Sequence, residues 1–228
     1  MGWLRLSIDS WRKYNISDRD RISGSIDISY QPTDRLAIDA NIELSKNDYD
    51  ATLVGLTSSD QTAFMLDASY QLNKALSGHA YFGKEFIDSE QSGSQVPDQP
   101  DWFVENENTV DSLGFGIKWQ KSRRLNLGAD YIFSGSKGKT HLTSLSPTPP
   151  VSAFPDLTTK LHSLKLFADY KWSKKVNLKL SYLYEKYNVD DWSTDGVNAG
   201  SIPDVLLLGE SNPSYTEHMI GLTVVSRF

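Results

Sequence analysis

The side chains with the widest chemical range in this chain are its four histidines, His79, His141, His162 and His218. Metal ligation by imidazole needs donors at short, regular spacing or gathered on one face, and these four are dispersed over separate segments. A Ser/His/acid hydrolase could be assembled from distant strands. However, the serines are too numerous for one to stand out, no G-x-S-x-G elbow occurs, and glycine-rich phosphate loops are missing. The chain has no cysteine, which removes disulfides, thiolate metal sites, a cysteine nucleophile and c-type haem attachment. Two acidic stretches could attract a hard cation, but neither has the spacing of a calcium-binding EF-hand loop. The expectation is a protein that is not an enzyme, with no catalytic, cofactor-binding or metal-binding residue of its own. A net charge of −6, without a basic stripe carrying interleaved aromatics, also argues against nucleic acid.

The elements around these residues are strands. From His218 the last segment alternates His218, Ile220, Leu222, Val224, Ser226 and Phe228 against Met219, Gly221, Thr223, Val225 and Arg227, a period of two with one mostly apolar face. A clear hairpin comes earlier. Ile22, Gly24, Ile26, Ile28 and Tyr30 lead to a turn at Gln31 to Asp34, and Leu36, Ile38, Ala40, Ile42 and Leu44 return, with Ser, Asp, Asn and Glu between them. The unit recurs: Tyr30, Tyr70, Trp119 and Tyr170 are each followed six residues later by Leu36, Leu76, Leu125 and Val176. Equal spacing suits a ring of interfacial aromatics where lipid meets water. Ordinary turn chemistry at an aromatic strand end is the other explanation. With Trp3 to Ile8, about ten strands are expected.

No apolar run approaches the roughly 18 residues a membrane helix needs. Membrane strands remain open, because only alternate residues face lipid and the mean hydropathy of −0.43 is compatible with that. Longer polar segments, Lys46 to Asp60, Ile87 to Thr109, Gly135 to Thr158 and Lys186 to Ser214, read as loops opposite the short turns. That asymmetry is the one seen in bacterial outer-membrane barrels and puts the short turns in the periplasm. The expected fold class is all-β, an antiparallel transmembrane β-barrel, with residues 1–228 as a single region. The segment MGWLRLSIDSWRKY lacks the features of a signal peptide.

The short turns and their flanks carry Arg35, Lys74, Lys121, Arg123, Arg124, Lys171, Lys174 and Lys175 against Asp34. The long segments carry Asp88, Glu90, Asp98, Asp101, Glu105 and Glu107, then Asp190, Asp191, Asp195, Asp204 and Glu210. Solvated loops and headgroup contacts account for this pattern; so does docking of an acidic periplasmic partner on the basic rim. The inward series includes Ser23, Ser25, Asp27, Ser29, Asp39, Asn41, Asp67, Ser69, Ser77, His79 and Gly83. It continues with Gly114, Gly116, Lys118, Asn126, Gly128, Asp130, Lys165, Asp169, Asn177, Lys179 and Ser181. Such residues would fill a narrow barrel poorly. A wide lumen, wet or occupied, and strands beyond these ten are expected. Lys165 and Lys179 could touch an occupant, but as single inward lysines they are not assigned as a site.

The final fifty residues resemble the MtrB/PioB family of decahaem-associated outer-membrane barrel proteins. The resemblance is carried by Tyr182, Tyr184, Glu185, Tyr187, Asp191 and Trp192, then Leu208, Gly209, Glu210, Pro213, Tyr215, His218, Gly221 and Phe228. It implies a large barrel in the bacterial outer membrane, in contact with lipid and lipopolysaccharide, of which this sequence is the C-terminal portion. It further implies that the barrel sheathes a periplasmic multihaem c-type cytochrome in its lumen and meets an extracellular multihaem cytochrome outside. Any haem would be carried by the partner cytochrome, with none bound directly. Family members are longer, carry an export signal, and some have an N-terminal cysteine pair. A diffusion porin or transporter and a soluble β-barrel or sandwich binding module remain as alternatives.

Overall fold

The computed structural model describes residues 18–49, 54–94, 99–145, 153–194 and 214–226. They form nine antiparallel strands in one sheet, each hydrogen-bonded to its neighbours in sequence. The strands are β1 Asp20–Thr33, β2 Leu36–Asp48, β3 Gly55–Asn73, β4 Leu76–Gly93, β5 Trp102–Gln120, β6 Leu125–Ser144, β7 Leu157–Lys171, β8 Val176–Asp190 and β9 Tyr215–Ser226. A 3-10 turn, Trp192–Thr194, follows β8. The segment Trp3 to Ile8 and the terminal Arg227 and Phe228 lie outside the described residues, so the tenth strand is not among the nine. β1 pairs with β2 and β9 with β8, and no ladder joins β1 to β9 among the described residues.

The alternation expected from sequence sets the two faces. One cross-strand row reads Ala40, Leu66, Phe82, Leu113, Phe133; the next row but one, nearer the short turns, reads Leu36, Tyr70, Gly78, Ile117, Ala129. Apolar side chains share one face because the register keeps the period of two in step across every pair. Among the described residues nothing covers that face: Ile220 is 77% exposed, Leu222 70% and Ile26 61%. Among the described residues the buried apolar side chains are Tyr49 and Val54, and no large side chain is fully buried. A single apolar-faced sheet without a second layer is stable only where lipid supplies the missing layer.

The four short turns share one construction. Thr33 Oγ1 accepts from the amides of Arg35 and Leu36 at 3.3 and 3.1 Å. Ser122 Oγ accepts from Arg124 and Leu125 at 3.2 and 3.1 Å, Ser173 Oγ from Lys175 and Val176 at 3.2 and 3.1 Å, and Asn73 Oδ1 from the Ala75 amide at 2.8 Å. The aromatic residue three positions earlier faces the first residue of the preceding return strand: Leu36 opposite Tyr70, Leu76 opposite Trp119, Leu125 opposite Tyr170.

At the other end the strands run much further than the hydropathy pattern indicates. The segments read as loops from Ile87 and up to Thr109 are largely β4 and β5, and Gly135 to Ser144 belongs to β6. Crossing a membrane takes about 9–11 strand residues, whereas β3 to β6 have 18 to 20. The ladder continues beyond the apolar band because backbone pairing does not require apolar side chains. Asp88, Glu90, Glu105 and Glu107 are therefore strand residues, and Asp98, Asp195, Asp204 and Glu210 lie outside the described residues.

Candidate functional site: the lumenal wall and its basic rim

The face opposite the apolar band carries the inward series read from sequence. Ser29 Oγ donates to Asp39 at 2.6 Å, Asn41 Nδ2 to Asp27 at 2.7 Å, and Gln61 Nε2 to Glu85 at 2.5 Å. Ser136 and Thr159 hydroxyls meet at 2.6 Å. These bonds run between neighbouring strands, so the polar groups are tied along the wall. Three shallow hollows lie on this face beside the short turns. One of about 590 Å³ includes Arg35, Asp67, His79 and Lys118; one of about 510 Å³ includes Lys171, Lys174, Lys175 and Lys179; one of about 460 Å³ includes Lys74, Lys118, Phe167 and Asp169.

Larger side chains also face inward, which the sequence reading did not include, and they lie against glycines. A Cβ placed on Gly114 would sit 2.1 Å from Tyr81, and one on Gly128 2.1 Å from Phe167. At Gly93 it would sit 1.7 Å from the Trp102 ring. Each ring occupies the notch its glycine partner leaves, in the manner of aromatic rescue. Gly116 does the same for polar groups: His79 and Asp130 reach over it, with His79 Nε2 3.9 Å from Asp130 Oδ1. The signal available in sequence was the pairing of glycines in one strand with aromatics in the next, readable only once the register is known.

Lys165 stands opposite Asp130, and Lys179 opposite Asp169. Neither pair closes to an ion pair within 4.0 Å among the described residues, and Lys118 has none either. The ammonium groups of Lys118, Lys165 and Lys179 are thus available on the wall. Arg35, Lys74, Arg123, Arg124, Lys174 and Lys175 cluster in the turns below them. His162 and His218 are on the apolar face, as read from sequence, and bind tyrosines: His162 Nδ1 is 2.7 Å from Tyr131 Oη and His218 Nδ1 2.9 Å from Tyr182 Oη. Among the described residues no group of three His, Cys, Asp or Glu is placed to hold a metal ion.

The sequence profile of the family described as outer membrane beta-barrel porin, MtrB/PioB, matches residues 7–228. The chain belongs to the MtrB/PioB family. "Outer membrane protein MtrB" of Shewanella baltica (strain OS185) is 30% identical over 215 residues, 93% of this chain. The chain spans 30% of that relative's length. Solved structures show the fold alone. The copper transporter OprC superposes with a TM-score of 0.67 at 9% identity, over 91% of this chain and 34% of its own. The ferric preacinetobactin receptor BauA of Acinetobacter baumannii gives 0.61 at 12% identity, over 90% and 37%. The alcaligin receptor FauA of Bordetella pertussis gives 0.62 at 9%, over 89% and 32%.

Family membership and the uncovered apolar face together place the nine strands in an outer-membrane β-barrel. The soluble sandwich is overturned, because its apolar face would need a second layer. In bacterial outer-membrane barrels the short turns are periplasmic and the longer end is extracellular, and these nine strands show the same asymmetry between their two ends.

Proposed function

We propose that these strands are one arc of a larger outer-membrane β-barrel that sheathes a periplasmic multihaem c-type cytochrome and positions it for electron transfer across the membrane. The observation that carries this reading is the inner wall: rings laid into glycine notches, polar groups bonded between neighbouring strands, and lysines with no ion pair among the described residues. A wall of this kind is broad and smooth rather than filled, which suits a folded occupant. The basic rim attracts an acidic periplasmic partner to the mouth. With no cysteine in this chain, thioether-bound haem resides in the partner, and the barrel excludes lipid and fixes position without catalysing a reaction. An extracellular multihaem cytochrome completes the path at the outer mouth. In lipid, the edges of β1 and β9 that have no partner strand among the described residues require one, which further strands of the larger barrel supply.

The family's description as a porin favours a second reading, an open diffusion pore. One experiment separates the two. Full-length protein is purified from outer membranes and its absorbance recorded. The sheath predicts a c-type Soret band that travels with a second polypeptide, and electron transfer across liposomes holding the complex. A colourless barrel that makes liposomes leaky to ions would establish the pore.

A further inference from the structure

We propose that the lipid-facing surface of β6–β8 carries a binding site for the phosphorylated sugar headgroup of lipopolysaccharide, built on Lys160, Lys186 and His162. The site sits at the extracellular edge of the apolar band. Counting eight residues from the first residue of each return strand reaches Leu44, Lys84, Phe133 and Tyr184, whose cross-strand partners are Thr62, Asp111, His162 and His218. This is where apolar outward positions give way to charged ones, about 26 Å of strand above the aromatic line at the short turns.

Over β6–β8 those charges are cationic. Phe133, His162 and Lys186 form one cross-strand row on the outward face, and Gly135, Lys160 and Asn188 form the next. Directly opposite side chains have Cβ atoms about 5 Å apart and diagonal ones about 7–8 Å. Three potential cations are therefore gathered within reach of one anion. Gly135, opposite Lys160, presents no side chain of its own; the Phe133 ring lies over it, and Asp111 stands opposite it on β5. His162 uses Nδ1 on the Tyr131 hydroxyl and has no partner at Nε2 among the described residues. Lys160 and Lys186 are exposed and make no ion pair among them. The nearby carboxylates are Asp190, diagonal to Lys160, Asp156, which is taken by Lys137 at 2.7 Å, and Asp111, across Gly135 in the same row, which is taken by Lys84 at 2.9 Å. Like charges placed side by side repel, and a doubly charged anion removes that repulsion while gaining charge-assisted hydrogen bonds.

The neighbouring strands at this level differ. Lys84 is neutralised by Asp111 at 2.9 Å, and above it Asp60, Asp88 and Glu107 stand in one row. The cationic patch is thus local rather than a uniform collar. Below it Tyr131, Leu164, Leu166, Tyr182 and Tyr184 give an apolar and aromatic floor for acyl chains. An outward site at this height in an outer membrane faces the outer leaflet, whose lipid is the phosphorylated glycolipid.

The test uses full-length protein extracted in detergent, washed free of lipid, and titrated with lipid A, with dephosphorylated lipid A and with inorganic phosphate, with bound ligand read by native mass spectrometry. Phosphorylated lipid A is expected to bind at least about tenfold more tightly than the dephosphorylated form, as the loss of one charge-assisted bond implies. Lys160→Ala/Lys186→Ala abolishes that preference. Lys74→Ala/Lys175→Ala, which removes two charges at the opposite rim, retains it. Equal affinity of the unaltered protein for both lipids overturns the proposal without recourse to any variant. So does a Lys160→Ala/Lys186→Ala protein that still discriminates, and inorganic phosphate bound as tightly as lipid A would identify a site for soluble anions instead.

Discussion

Gly128 shows how much one missing methyl group controls. With a Cβ there 2.1 Å from the Phe167 ring, Gly128→Val must drive that ring off the wall and into the lumen. Overpacking of this kind costs about 1–3 kcal/mol. Urea unfolding of the barrel in lipid vesicles should show it, and Phe167→Ala in the same chain should recover most of the loss, since the two sites couple directly. Tyr131→Phe, which removes the hydroxyl bonded to His162, is expected to cost about 0.5–1.5 kcal/mol by the same assay. At this scale the sequence revealed which face a residue occupies and little more. Alternation assigned His162 and Gly128 to opposite faces correctly. It could not show that His162 meets Tyr131 or that Phe167 covers Gly128, because both contacts depend on the register between β6 and β7, which the long segment joining them does not specify.

Between elements, the repeated aromatic and aliphatic spacing marked all four short turns, but not what closes them. Thr33, Asn73, Ser122 and Ser173 stand three residues after the aromatic in every copy, and each holds a backbone amide of its turn. Ser173→Ala is expected to lower stability by about 0.5–1.5 kcal/mol, whereas Ser173→Asn, which can form the same turn, should leave the unfolding midpoint close to the parent. Strand ends were the least legible feature. Lys46 to Asp60 and Ile87 to Thr109 read as loops because their charged residues break the apolar series. Pairing such as Asp88 with Glu107 rests on backbone hydrogen bonds, which leave no hydropathy signal. Outside the membrane both faces of a strand meet water, so the alternation that reveals a strand is lost while the strand persists.

For the molecule as a whole, the basic short turns and the acids Asp88, Glu90, Glu105 and Glu107 read from sequence lie toward opposite ends of the sheet. If the proposed function holds, Lys174→Glu/Lys175→Glu in the full-length protein slows capture of a periplasmic multihaem cytochrome, with the deficit shrinking as salt is raised; stopped-flow association at two ionic strengths would measure it. Circumference was not legible, since composition says nothing of how far successive strands are staggered. The structure does. Tyr30 faces Ile38, Ile38 faces Ala68, and the next aromatic, Tyr70, lies two residues further on; the same step separates Ile117 from Trp119 and Ala168 from Tyr170. For those aromatics to lie level, strands about 4.8 Å apart that gain two residues per pair must lean by about 35° from the membrane normal. Each strand then takes up about 6 Å of perimeter, and the nine together about 53 Å. A ring closed from that perimeter alone would measure about 17 Å between backbones, little more than the 10–12 Å of a single helix with its side chains. The lean written into four turns thus sets the gauge of the bore, and a bore wide enough for a folded haem protein demands a perimeter well beyond this arc.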